Sequence, residues 1–187
     1  MCIRDSNLTV LLAVRVIDYR MHSNCQWNRM KQLVYVPIFL STYQKWWLKE
    51  RPLPVADIEF AVLILRICLY TTQFLPSPSY TIDTICGVSL PEIRKVCAEV
   101  GDSLADSCVA LDWKGSLVRV QHLLFAAIKS SCEGRIVQFW EGIASASQAA
   151  QKAGIHKDCS DLEGKGDGEL ENEMRRRVFC SLYILDR

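Results

Sequence analysis

The chain has 187 residues, half of them hydrophobic, which is enough for one domain with a sizeable core. Its 22 basic and 21 acidic residues leave a net charge of +1, so no global field draws it to nucleic acid or to an anionic membrane. Nine cysteines, an odd number with no C-x-x-C pair, exclude the disulfide framework of a small secreted domain; they read as reduced, buried thiols of a cytosolic or nuclear protein.

Residues 1–37 carry no coherent period and read as a poorly defined N-terminal segment, a candidate artefact of gene prediction rather than native sequence. The apolar run Leu8–Val14 lacks a basic leader and a small-residue cleavage site, and Arg15 interrupts it, so no secretory signal is expected. From Ile38 to Glu50, Phe39, Tyr43, Trp46 and Trp47 recur at helical spacing, and the Arg51-Pro52-Leu53-Pro54 linker then forces an extended break. A second helix is expected from Val55, with acids in its first turn, to Phe74, where Pro76-Ser77-Pro78 stops it. Asp57, Glu59 and Arg66 would each cost about 2.5–3.5 kcal/mol at a bilayer centre, so this is a core helix and not a membrane span. Only Arg66 stands out in its middle as a solvent or partner contact.

Ser89-Leu90-Pro91-Glu92 has the form of a capping box and starts a helix to about Leu111. Gly115-Ser116 opens the next, whose stripe is Leu117, Val120, Leu124 and Ala127 or Ile128, ending before Gly134. A helix from Ile136 to Ala153 follows, closed by Gly154 in a left-handed cap with Ile155 as its hydrophobic companion. The short link makes these two an antiparallel hairpin, and Gly142, Ala146, Ala149 and Ala150 keep one face small enough for a close neighbour.

His156 to Glu169 reads as a charged, Gly-rich loop. Its acids do not fit a calcium loop: a frame starting at Asp161 puts Lys165 and Asn172 where acidic ligands belong. His156 and Cys159 offer two ligands where zinc takes four, and His22, His122 and His156 are far apart in sequence. No catalytic or cofactor motif emerges.

The last stretch, ENEMRRRVFCSLYILDR, combines charge and apolar period. On a helix, Met174, Val178, Leu182 and Leu185 share one side, and Phe179 and Tyr183 extend it. Arg175 and Asp186 fall within that apolar arc, about 16 Å apart, so each is expected to need a partner from another element. Arg176 and Arg177 lie elsewhere. Glu171 and Glu173 stand four residues before Arg175 and Arg177, and pairing within the helix is favoured over a nucleic-acid patch. With Cys180 and Ile184 on its back, the helix is expected to be the packing centre of a bundle, and the pattern breaks off at Arg187 as in a fragment.

Four stretches in this order, LILRICLYTTQFLPSPSY, SLVRVQHLLFAAIKSSCEGR, FWEGIASASQAAQKAGIHKD and EMRRRVFCSLYILDR, resemble the regulatory middle homology domain of fungal-specific zinc-cluster transcription factors, also called the xylanolytic activator regulatory domain. The resemblance runs from about Lys45 to Arg187. It rests on Gly154, His156, Glu173, Arg175, Arg176, Arg177, Phe179, Leu182, Tyr183 and Asp186 as structural signature residues; Cys180 stands where the family often has Trp.

The resemblance implies an all-α bundle of antiparallel helices over residues 38–187, incomplete at its C-terminus. It further implies a nuclear, non-enzymatic regulator of transcription by RNA polymerase II, working through a small-molecule effector or a coregulator protein and without a membrane. DNA and zinc binding would belong to a six-cysteine cluster absent from this chain, leaving no cofactor here. Two other readings remain open: an α-helical small-molecule-binding protein or enzyme with a site in a bundle crevice, and a plain interaction scaffold.

Overall fold

A computed structural model describes residues 33–49, 54–74, 84–85, 88–157 and 166–187. Six helices run through it: α1 Val36–Trp47, α2 Val55–Thr71, α3 Leu90–Leu111, α4 Leu117–Cys132, α5 Ile136–Lys152 and α6 Gly166–Leu185. A 3₁₀ turn, Thr72–Phe74, extends α2, and a two-residue antiparallel pair, β1 Thr84–Ile85 with β2 Val88–Ser89, leads into α3. The all-α expectation holds; the small hairpin is an addition too short to leave a strand period in the sequence. None of these helices is long and apolar enough to cross a membrane.

The bundle is built on α2, not on the final helix. Eleven of the 17 residues of α2 are buried, and it packs against both α3 and α4. Its apolar side chains therefore appear nearly all round the helix, which is the pattern of an element enclosed by neighbours. Tyr70 meets the edge of Phe125 on α4 at a ring separation of 6.0 Å. Nearer its N-terminus, α2 holds α1 by aromatic rings: Phe39 lies 5.4 Å from Phe60, and Trp46 lies 6.1 Å from the same ring. Trp46 Nε1 also donates to the Asp57 carbonyl at 2.9 Å, and Lys49 reaches both Asp57 carboxylate oxygens at 2.7 and 2.8 Å. Pro37 sits in the first turn of α1, where its missing N–H costs nothing, so the helix starts at Val36 and not after the proline.

Local chemistry explains the helix ends. Ser89 caps α3 by accepting from the Glu92 amide at 3.3 Å. Arg94 closes α2 from outside, donating to the Thr72 carbonyl at 2.5 Å. Gly154, at φ +69°, ends α5 with two reverse bonds, Gly154 N to Gln151 O at 3.1 Å and Ile155 N to Ala150 O at 3.0 Å. Ile155 is buried beside it. The α4–α5 hairpin is as close as the small residues foretell: a Cβ on Gly142 would lie 2.9 Å from the Ala127 Cβ.

α6 lies against α4 and α5 through Met174, Val178 and Leu182, three buried side chains each worth about 1.5–3 kcal/mol. Its back, with Cys180, Tyr183 and Ile184, is exposed. This corrects its expected role as the packing centre. It also starts at Gly166, so Gly166–Glu169 belong to helix and not to the loop; residues 158–165 of that loop, with Cys159 and the first five positions of the rejected calcium frame, lie outside the described residues, as do residues 1–32.

Candidate functional site

The three helices α2, α3 and α4 are fastened by one buried polar clamp. Glu59 of α2 and Arg119 of α4 are 1% and 4% exposed, and Arg119 Nε donates to Glu59 Oε1 at 2.6 Å. The rest of the guanidinium is spent on the end of α3: Nη1 donates to the Asp112 carbonyl at 2.5 Å and Nη2 to the Cys108 carbonyl at 3.0 Å. A cation thus sits at the negative end of α3, where it adds a second donor to the Cys108 carbonyl, already bonded by the Asp112 amide at 2.9 Å, and supplies one to the Asp112 carbonyl. Ser116, the N-cap of α4, accepts from the Arg119 amide at 3.2 Å and donates its own proton to Glu59 Oε2. The turn between α3 and α4 is shaped for this. Asp112 Oδ1 accepts from the Lys114 amide at 3.0 Å, and Gly115 takes φ +74° where a Cβ would lie 3.1 Å from the Arg119 side chain.

A second polar group lies beside the clamp. His122 is 2% exposed and neither ring nitrogen has a hydrogen-bond partner among the described residues. Burial, with the Arg66 and Arg119 charges adding to it, pushes its pKa down to about 3, so the ring is neutral at physiological pH. Arg66 passes over Gly101 and pairs with Asp102 of α3 at 2.5 Å, which bears out its reading as a partner contact. The clamp ties α2, α3 and α4 together, and His122 is enclosed beside it.

Among the described residues, a groove of about 590 Å³ opens between α1, α4 and α6. Phe60 and Leu63 of α2 line its depth, Leu117 and Val118 belong to its α4 wall, and Leu170 and Met174 to its α6 wall. α1 contributes a graded wall, from Pro37 and Ile38 to Ser41 and Thr42 one turn further on and Lys45 two turns on. Gln121 of α4, which also borders the groove, donates from Nε2 to the Leu33 carbonyl at 2.6 Å and so anchors the backbone that enters α1. Lys45 has no ion pair or hydrogen bond among the described residues, whereas Glu171 on the α6 wall is held by Arg175 at 2.8 Å. A volume within about 300–1,000 Å³, apolar walls and a few polar groups are the usual properties of a small-molecule site.

The signature residues are not gathered at this groove. Gly154 is the cap of α5 and His156 is exposed just after it. On α6, Leu182 is buried, Phe179 half-buried and Tyr183 exposed, and Asp186, just after the helix, is exposed too. Arg175 was expected to reach an acid on another element; it pairs with Glu171 one turn before it, so its charge is neutralised within the helix, and the exposed Asp186 makes no inward demand. Glu173 takes both Arg176 at 2.5 Å and Arg177 at 2.7 Å, and hydrogen bonds from Arg177 and Arg176 hold its carboxyl below the usual range. The favoured intrahelical pairing is therefore present, with Arg176 as an additional member. Buried thiols are found at Cys68, Cys97 and Cys108, but Cys132 and Cys180 are exposed, which corrects the expectation for those two. Burial pushes Cys97 up to about 11, and pushes Cys68 up with the Cys97 thiol adding to it, so neither is a nucleophile. Glu59 and Arg119 went unrecognised in the sequence. Their signal was a charge at a buried position of an otherwise apolar face on each helix.

Comparison with known proteins gives a consistent set of similarities. The profile of the fungal specific transcription factor domain matches residues 19–187. The chain is similar to the transcription factor xilB of Penicillium rubens, with 59% identity over 163 residues, 85% of this chain and 24% of that protein. It is also similar to the probable transcription factor sol4 of Alternaria solani, with 43% identity over 163 residues, 86% of this chain and 29% of that protein. The chain thus spans about a quarter of the length of these curated relatives. No solved structure matches it.

Proposed function

Because the chain belongs to the fungal specific transcription factor domain family, as a regulatory domain of such a factor, we propose that it controls transcription by RNA polymerase II in the nucleus by binding an effector in the groove between α1, α4 and α6. The single observation that carries this reading is the groove itself: a small-molecule-sized cavity whose walls come from three helices, one of which, α1, is tied to α2 by aromatic side chains and the Lys49–Asp57 pair. A ligand bridging α1 to α4 and α6 would favour one arrangement of these helices over others by its differential affinity. DNA binding is assigned to a zinc cluster elsewhere in the full-length factor, and no turnover is assigned to this domain. The near-neutral net charge and the internally paired arginines of α6 support that division.

The test is removal of these residues from the full-length factor in its fungus. Promoter occupancy is expected to persist while the regulated transcript response is lost. A normal response without the domain, or loss of occupancy with the zinc cluster intact, contradicts the proposal.

A further inference from the structure

The groove also carries a charge pattern that selects its occupant, and the geometry points to an amphipathic small molecule with a single anionic head, a carboxylate in the simplest case, and an apolar body. This rests on the reading of the groove as the effector site. Along α1 the wall changes from Pro37 and Ile38 to Ser41, Thr42 and Lys45. Lys45 stands four residues after Ser41 and three after Thr42, so the three exposed residues neighbour one another on the helix and together form a polar stretch of the groove wall. The remaining depth is apolar, with Phe60, Leu63, Val118 and Met174.

The local charges decide the sign of the head. Glu171 is the acid bordering the groove, and two hydrogen bonds from Arg175, at 2.8 and 3.1 Å, occupy it. That pair is neutral as a unit. Lys45 is left as the cation without a partner among the described residues, so an anion gains a charge-assisted hydrogen bond there, while a cation gains repulsion. Exposure of Lys45 to solvent limits its contribution, so the head supplies selectivity and the apolar body most of the binding.

Titration calorimetry of the full chain with decanoate and with decan-1-ol tests this, since the two probes share a body and differ in the head. Decanoate is expected to bind about fivefold more tightly. Lys45→Met should abolish that preference and leave decan-1-ol unaffected, and Lys45→Arg should retain it. Val118→Trp, at a half-buried position on the groove wall, should weaken both probes together. Equal binding of the two probes, or an unchanged preference in Lys45→Met, overturns the anionic-head inference. Undiminished binding in Val118→Trp overturns the location. Failure of decanoate to bind overturns the ligand class, and the regulatory reading then stands or falls separately on the transcript response to domain removal.

Discussion

Arg119 Nη2 lies 2.5 Å from Glu59 Oε1, with both side chains sealed from solvent, and the same guanidinium caps the end of α3. Removing one partner leaves a buried charge uncompensated, so Glu59→Ala and Arg119→Met should each cost about 3–5 kcal/mol in chemical denaturation. The double replacement Glu59→Ala with Arg119→Met should cost well less than the sum of the two losses. Additive losses would mean that the pair is not coupled.

His122 gives the domain an acid-sensitive core. Its folded pKa of about 3 lies below the ordinary 6.5, so the ring takes a proton only when the chain unfolds. Its contribution is complete above pH 6.5 and is lost as the pH falls from there toward 3, at up to about 1.4 kcal/mol per unit. Arg66 of α2 and Arg119 of α4 both oppose protonation; Asp102 of α3 is engaged by Arg66. His122→Leu should flatten the stability profile across this window relative to the parent chain. An identical slope in both would show that the imidazole is not the titrating group.

Gly142 should tolerate no side chain without readjustment of the α4–α5 hairpin. A Cβ there would lie 2.9 Å from the Ala127 Cβ and 3.2 Å from its Cα, and Gly142→Ala should lower the melting point through overpacking of about 1–3 kcal/mol, partly offset by helix propensity. Combining it with Ala127→Gly should recover much of the packing loss, since the second change removes the nearer of the two opposed atoms.

Arg175→Ala should change stability by only about 0.2–1 kcal/mol, because its partner Glu171 is exposed on the same helix and regains water when the arginine is lost. A loss comparable to that of Arg119→Met would restore the idea of a buried acidic partner for Arg175.

Much of the architecture was legible because local chemistry specifies it. The Ser89 cap, the Gly115-Ser116 helix start, the Gly154 cap and the small face around Gly142 are all short-range signals, and each appears where the sequence places it. The centre of the bundle was harder to find. α2 and the C-terminal half of α6 are both apolar nearly all round, and period alone does not tell an enclosed helix from one with an exposed apolar back such as Tyr183 and Ile184. The same limit hid the clamp: Glu59 and Arg119 are 60 residues apart, and only the tertiary fold brings them together. Arg175 misled for the opposite reason. Its angular position is inward, but a long side chain with an acid one turn earlier has a cheaper local solution than a distant partner. The groove left no linear motif, since it is assembled from α1, α2, α4 and α6.

The measurement that bears most directly on the regulatory role of the groove is a paired assay of Val118→Trp in the full-length factor, with promoter occupancy and target transcripts followed at matched protein level. Occupancy equal to the parent with a lost transcript response is the predicted result. An unchanged transcript response would contradict it.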